Sequence, residues 1–243
     1  MKGVSAVVII PTYNERDNIA LLVERLLEHD EVNVLVVDDA SPDGTGAVAD
    51  AVSAQHPGRV EVLHRTSNRG FGRSYVDGIR HAIARRADLI CQMDADFSHD
   101  PAQLPALVAA AARADVVIGS RYVAGGGVVN WKKRRQLLSR FANAYVRAIT
   151  HVAARDCTSG YRCWRREALE SLPLDAFVSD GYSFLVEMLF TAARQGRRIV
   201  EVPITYVERR EGQSKMSRAV IFESAIMPWR LIAAPKRARP TAR

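Results

Sequence analysis

Two aspartates one residue apart, Asp94 and Asp96, follow directly on an apolar run that ends at Met93. Carboxylates at i and i+2, where a strand opens into a loop, can share one divalent cation and its diphosphate ligand. Their hard oxygens suit magnesium or manganese. Taken alone, the pair also fits an ordinary solvated loop. A second pair, Asp38-Asp39, closes another apolar run just before the turn Ser41-Pro42-Asp43-Gly44, and a turn or helix cap would account for it. Acidic pairs gathered at neighbouring strand ends repel each other unless a cation or hydrogen-bond donors compensate, and that cost favours a functional reading. Cations arrive later in the chain. Arg121 sits just past a further apolar run, Arg135 lies in a basic stretch, and Arg209 and Lys215 begin and end RREGQSK. Arginine forks fit phosphate oxygens and lysine supplies a point charge, so carboxylates opposed by cations match the needs of a nucleotide diphosphate.

The elements that must hold these residues alternate regularly in the first half. The patterning predicts strands at 4–10, 32–37, 60–63, 88–93 and 115–119, and helices at 17–28, 45–54, 72–85 and 101–113. Strands alternating with helices of this length indicate a doubly wound, mostly parallel α/β sheet. Ligands in such sheets bind beyond the carboxyl ends of the strands, where Asp38-Asp39, Asp94-Ala95-Asp96 and Ser120-Arg121 all fall. The second half reads as a glycine-rich loop at 123–129, a helix at 131–152, a polar turn at Thr158-Ser159-Gly160, a helix at 181–195 and a strand at 199–207. Residues 217–234 have amphipathic helical periodicity, interrupted by Pro228. There is no internal repeat and no linker that would separate two domains.

A chain of 243 residues with 48% hydrophobic and 25% charged residues can bury a sizeable core, which excludes a disordered or low-complexity protein. No apolar run reaches the roughly 18 residues of a membrane span. Met1-Lys2-Gly3 leads straight into a strand-like stretch without a signal-peptide layout. Cys91, Cys157 and Cys163 are few, odd in number and not at metal-ligand spacing, which fits free thiols in a reducing cytoplasm. The net charge of +7 is concentrated in two acid-free clusters, residues 131–140 and 230–243, each with five cations, and the rest of the chain is slightly acidic. Such clusters mark nucleic acid, anionic membrane or phosphorylated substrates, or else a solvated helix face and a tail. No aromatic-rich or helix-turn-helix reading motif supports nucleic acid.

The chain resembles the polyprenol-phosphate (dolichol-phosphate) mannosyltransferases of glycosyltransferase family two. The resemblance rests on Pro11-Thr12-Tyr13-Asn14-Glu15, on Val37-Asp38-Asp39 with Ser41-Pro42-Asp43-Gly44-Thr45, and on Asn68-Arg69-Gly70. It continues through Met93-Asp94-Ala95-Asp96-Phe97-Ser98-His99, Gly119-Ser120-Arg121-Tyr122, Thr158-Ser159-Gly160-Tyr161-Arg162, Val202-Pro203-Ile204-Thr205-Tyr206-Val207 and Ser214-Lys215. These stretches are collinear. The resemblance implies a sheet of the glycosyltransferase A type, a catalytic domain over 1–216, and an amphipathic helix with a basic tail over 217–243 as a membrane-surface contact.

It also implies roles. Pro11, Tyr13 and Glu15 would line the base pocket, Val37 and Asp39 would contact base and ribose, and Asp94 and Ala95 would touch the nucleotide. Asp96 would bind Mg2+ or Mn2+, with Ser98 as a further metal position where some members carry glutamine. Arg121, Arg135, Arg209 and Lys215 would hold phosphates, with Arg121, Arg135 and Ser139 on the acceptor side and Asp96, Arg121 and Arg135 central to catalysis. The implied reaction is inverting transfer of mannose from GDP-mannose, the nucleotide-sugar donor, to a polyprenyl monophosphate. The acceptor phosphate needs no general base, because its second pKa near 6 leaves it largely dianionic at neutral pH. His99 and Glu187 are accordingly read as structural. Nothing in the residues reads the base, so a UDP-sugar donor is the alternative. A non-enzymatic nucleic-acid- or membrane-binding protein is the distant one. The expected location is cytoplasmic, peripheral on the cytoplasmic membrane face, anchored by the C-terminal segment or by a membrane-embedded partner subunit.

Overall fold

The computed structural model describes residues 5–67, 69–177, 179, 181–208 and 218–233, with the side chains of 218–224 left aside. The sequence opens with β1 (Ala6–Thr12), α1 (Arg16–Leu27), β2 (Val32–Asp38), α2 (Thr45–Gln55), β3 (Val60–His64), α3 (Phe71–Ala84) and β4 (Leu89–Gln92). A mixed helix follows, with α4 (Leu104–Ala110) between two 3-10 turns, and then β5 (Val116–Ser120). Burial explains this first half. Val8, Ile9 and Ile10 are fully enclosed in β1, while α1 buries Ile19, Leu22, Val23 and Leu26, the stripe a 3.6-residue period puts on one face. Close packing of α3 on the sheet depends on Gly78, where a Cβ would stand 2.7 Å from Ile9 Cγ2 and 3.0 Å from Val37 Cγ2.

The second half contains β6 (Gly127–Val129), α5 (Lys133–Thr150), β7 (Arg162–Arg165), α6 (Arg166–Glu170), α7 (Gly181–Arg194), β8 (Ile199–Pro203), β9 (Thr205–Val207) and α8 (Arg218–Ala233). The main sheet has the order β3-β2-β1-β4-β7-β5-β8, and β7 runs antiparallel between β4 and β5. The periodicity does not announce β7, because its flanking arginines look like surface residues. Arg162 is nonetheless fully buried and donates to the carbonyls of Ser159 at 2.8 Å, Leu185 at 2.6 Å and Cys157 at 2.8 Å. Burial pushes its guanidinium down to about 10.

The strand expected at 199–207 is two strands in two sheets. At Ile204 the N–H donates to Ser120 O of the main sheet, and the carbonyl accepts from Gly127 N–H, handing the chain over to a parallel pair with β6. The helix expected at 217–234 forms and continues through Pro228. It is not a free appendage: Met227 and Leu231 join the main core, Tyr145 Oη donates to Ala225 O at 2.7 Å, and Trp229 Nε1 donates to Tyr145 Oη at 2.9 Å. Among the described residues no helix is long and apolar enough to cross a membrane.

Candidate active site

The carboxyl ends of β1, β2, β4 and β5 open on one edge of the sheet. After each of the first three, one non-glycine residue is left-handed: Asn14 (φ 60°), Ala40 (φ 54°) and Phe97 (φ 57°). Such backbone is rare outside glycine and costs on the order of 1 kcal/mol or more each, so three together at one sheet edge mark a site where geometry outranks stability. These reversals turn the chain sharply after Tyr13, Asp39 and Asp96.

The two acidic pairs are not at adjacent strand ends, as the sequence suggests, because β1 lies between β2 and β4. Asp38 and Asp39 have internal partners. Asp38 accepts from Ser41 Oγ at 2.6 Å, Thr12 Oγ1 at 3.1 Å and Ser41 N–H at 3.2 Å, so it organises the turn. Asp39 pairs with the buried guanidinium of Arg65 and accepts from Gly70 N–H at 2.8 Å. Arg65 also reaches Asp77 at 2.8 Å and Ser74 Oγ at 3.0 Å, tying the end of β2 to α3. Sequence reasoning passed over Arg65, and no motif singles it out. Asp43, ahead of the N-cap Gly44, accepts from Thr45 N–H and Oγ1 at the start of α2 and from Arg16 N–H. Burial works against its charge, but these hydrogen bonds outweigh it and hold the carboxyl below its ordinary value.

Of the base-pocket residues, Tyr13 is exposed and carries the Arg69 guanidinium 5.6 Å from its ring centre. Glu15 accepts from Asn18 Nδ2 at 2.9 Å, and its N–H donates to Thr45 Oγ1 at 3.0 Å. Pro11 pairs in register with Val37. The expected contact of Val37 with base and ribose is corrected here for its side chain. It is fully buried in the core beneath Gly78, because alternation along β2 turns it to the α3 face.

Asp94 and Asp96 leave β4 together, partly exposed, with Ala95 buried between them. Asp94 N–H donates to His99 Nδ1 at 3.3 Å, so that ring nitrogen is an acceptor, and Asp94 Oδ2 lies 3.9 Å away. His99 is buried, stacked on Tyr161 at 5.0 Å and edge-on to Tyr206 at 5.6 Å. Ser98 is fully buried, and its N–H donates to Asp96 Oδ1 at 3.0 Å, so it holds the carboxylate in place. Burial pushes the Tyr206 phenol up to about 12, with the charges of Asp94 and Asp96 acting in the same direction. Glu187 is buried and accepts from Ser179 N–H at 3.2 Å, in keeping with a structural role.

Tyr206 joins the acidic end to the basic one. Its ring lies 5.5 Å from the Arg121 guanidinium and 5.3 Å from the ring of Trp131. Arg121 is also within 5.3 Å of Tyr122 and 5.6 Å of Trp131. The Arg121 fork, however, is turned to Asp156: Nε and Nη2 donate to its two oxygens, each at 2.7 Å, and Nη2 also donates to Thr158 Oγ1 at 2.9 Å. Both members are enclosed, at 7% and 0% side-chain exposure. Burial opposes the guanidinium's charge, and Asp156 more than offsets this, raising its pKa. Asp156 carries no sequence signal of its own. Arg135 is placed differently. It stacks 4.2 Å over Trp131 and pairs with Glu208 at 2.5 Å, with both side chains part-exposed at 40% and 35%. One turn on, Ser139 Oγ accepts from Tyr122 Oη at 2.7 Å. Arg209 and Lys215 lie outside the described residues.

Three comparisons place this geometry among known proteins. The family model described as glycosyl transferase family 2 matches residues 7–172. An undecaprenyl-phosphate mannosyltransferase of Micrococcus luteus is 49% identical over 219 residues, 90% of each chain. A polyprenol monophosphomannose synthase of Mycolicibacterium smegmatis is 47% identical over 240 residues, 97% of this chain and 91% of the relative. Among solved structures, glucosyl-3-phosphoglycerate synthase of Mycobacterium tuberculosis in complex with UDP superposes with a TM-score of 0.71 at 20% identity. That match covers 96% of this chain and 82% of the other. The same enzyme with Mn2+, UDP and glucosyl-3-phosphoglycerate gives a TM-score of 0.66 at 21% identity, over 95% and 78% of the two chains. At such identity the likeness is one of fold.

Proposed function

The chain belongs to glycosyl transferase family 2, and from that premise we propose that it transfers mannose, with inversion, from GDP-mannose to a polyprenyl monophosphate. The names of the two relatives that share nearly half its residues over most of the chain support acceptor and sugar. The observation that carries the chemistry is the aromatic row His99, Tyr206 and Trp131, which runs from Asp94, bonded to His99, to Arg121 near Tyr206 and Arg135 over Trp131.

A divalent ion fits the acidic side by donor chemistry. Asp94 and Asp96 offer hard carboxylate oxygens, with Ser98 N–H fixing one of them. Asp94 and Asp96 would hold Mg2+ or Mn2+, with the donor's own diphosphate supplying further oxygen ligands. When bound, the ion neutralises charge on the departing nucleotide diphosphate.

The chain's residues do the rest. Tyr13 and Glu15 bound the base pocket, with Pro11 at its floor, and Asp39, held by Arg65, faces the ribose. Arg209 and Lys215 supply donor-side charge. The acceptor phosphate oxygen attacks the anomeric carbon as the diphosphate leaves. Arg121 acts by position, since Asp156 already cancels most of its charge. Arg135 is the cation available to the acceptor: a part-exposed ion pair is worth about 0–1 kcal/mol, so a phosphate replaces Glu208 at small cost. Ser139 lies one turn along the same helix face. Outside the site, α5 exposes Leu137, Leu138 and Phe141, and α8 exposes Trp229 and Ile232. These residues, with the basic tail, form the bilayer contact on the cytoplasmic face. The division at 216/217 is therefore one of role, since α8 shares the core.

Titration with GDP and UDP in the presence of Mn2+, followed by thermal shift, tests the donor. The reading expects stabilisation by GDP well above that by UDP, lost on chelation and in Asp96→Asn. Preference for UDP would replace GDP-mannose by a UDP-sugar, and dependence of transfer on an added membrane subunit would move the anchor to a partner.

A further inference from the structure

Beside Tyr122 a groove of about 320 Å3 is lined by Tyr122, Arg140, Asn143, Ala144, Arg147 and Arg155. Three of these are arginines and none is acidic. Arg140 and Arg147 stand two turns apart on one face of α5, and Arg155 comes from the loop beyond it. None of the three side chains forms an ion pair among the described residues. The neighbouring acids are already engaged. Asp156 is held by Arg121, and Glu201 accepts the N–H groups of Arg155 and Asp156 at 2.8 and 2.9 Å. Asn143 also points its polar atoms inward, to Ser139 O, Thr158 Oγ1 and Cys157 N–H. The polar chemistry of the groove is therefore that of its guanidiniums, with the Arg140 cation 5.6 Å from the Tyr122 ring centre. Cations gathered around one concavity repel each other, and an anion with several oxygens removes that cost.

The flank of the groove indicates where such an anion comes from. Leu137 and Phe141, at i−7 and i−3 from the groove residue Ala144, are 67% and 68% exposed. A ridge of apolar side chains beside a cluster of guanidiniums matches the boundary between acyl chains and phosphates at a bilayer surface.

We propose that this groove is a phosphate subsite for the headgroup of an anionic lipid, separate from the acceptor position at Arg135 and Ser139. Binding there is read without turnover, so the proposal stands or falls independently of the transferase reading.

The test uses the full chain and Arg140→Gln/Arg147→Gln/Arg155→Gln. Each is sedimented with phosphatidylcholine vesicles containing phosphatidylglycerol, and titrated with inorganic phosphate and with a short-chain, water-soluble phosphatidic acid. A control neutralises Arg25, Arg85 and Arg113, exposed cations elsewhere. Melting temperature and circular dichroism report the fold. Each cation near an anionic surface is worth roughly fivefold, so the triple variant is expected to lose on the order of a hundredfold in vesicle affinity. The control should change by less than about threefold, within what scattered surface cations contribute. If the triple variant misfolds, Arg147→Gln alone is expected to lose about fivefold on the same basis. Loss confined to the soluble phosphates would overturn the lipid source and assign the groove to a free anion. Equal losses in triple variant and control, or unchanged binding to all three probes, would overturn the subsite itself.

Discussion

Asp156→Ala removes one half of a fully enclosed ion pair and leaves the Arg121 guanidinium in a ring of Tyr122, Trp131 and Tyr206, with Thr158 Oγ1 as a remaining acceptor. Breaking a buried pair from one side costs about 3–5 kcal/mol, because the surviving charge stays desolvated and uncompensated. In a chain of this size each kcal/mol shifts the melting temperature by about 2–4 °C, so the expected fall is roughly 6–20 °C. The same physics makes a second statement. Arg121→Met/Asp156→Ala removes the stranded charge as well, so it should be more stable than Asp156→Ala alone. Urea unfolding of the wild type, both single variants and the double variant yields the coupling energy directly. A cost below about 1 kcal/mol for Asp156→Ala, or losses that simply add in the double variant, would refute the view that Arg121 is a paired, positioning cation.

Gly78→Ala should destabilise by about 1–3 kcal/mol in urea unfolding, because the new methyl overlaps Ile9 and Val37 while the helix propensity gain is smaller. At pH 8 the three cysteines should be silent to a thiol reagent until denaturant is added. A hydrogen bond with Cys163 together with burial raises the Cys91 thiol, burial pushes Cys157 up to about 12, Cys163 is fully buried, and the reactive species is the thiolate. Arg135→Ala should raise the KM for acceptor by about tenfold or more, the loss of one charged hydrogen bond, while donor KM holds. Glu208→Gln, by freeing Arg135, should leave acceptor KM unchanged or lower.

The first half of the fold was legible because β1, β2 and β4 are largely buried on both faces and α1 carries a clean apolar stripe. Asp94 and Asp96 were legible for the same reason: a loop acid after a buried strand stands out against its surroundings. The second half hid its rules. In β7 a fully buried arginine satisfied by three carbonyls imitates a surface residue, and no hydropathy pattern separates the two. In 199–207 the strand-like pattern runs on although the chain changes sheets at Ile204, because the handover is made by backbone hydrogen bonds that no side chain announces. Asp156 and Arg65 lie far in sequence from the groups they neutralise, 35 residues from Arg121 and 26 from Asp39, so only the folded chain reveals them as partners. Val37 ends the same strand as Asp38, but strand alternation turns its side chain into the core beneath Gly78.

Transfer of radiolabelled mannose from GDP-mannose to a polyprenyl phosphate in detergent, by the wild type and by Asp96→Asn, tests the central claim most directly. The account predicts a labelled, organic-extractable product from the wild type that disappears in Asp96→Asn and in excess chelator. Equal product from Asp96→Asn, or label incorporated from a UDP-sugar and none from GDP-mannose, would contradict it.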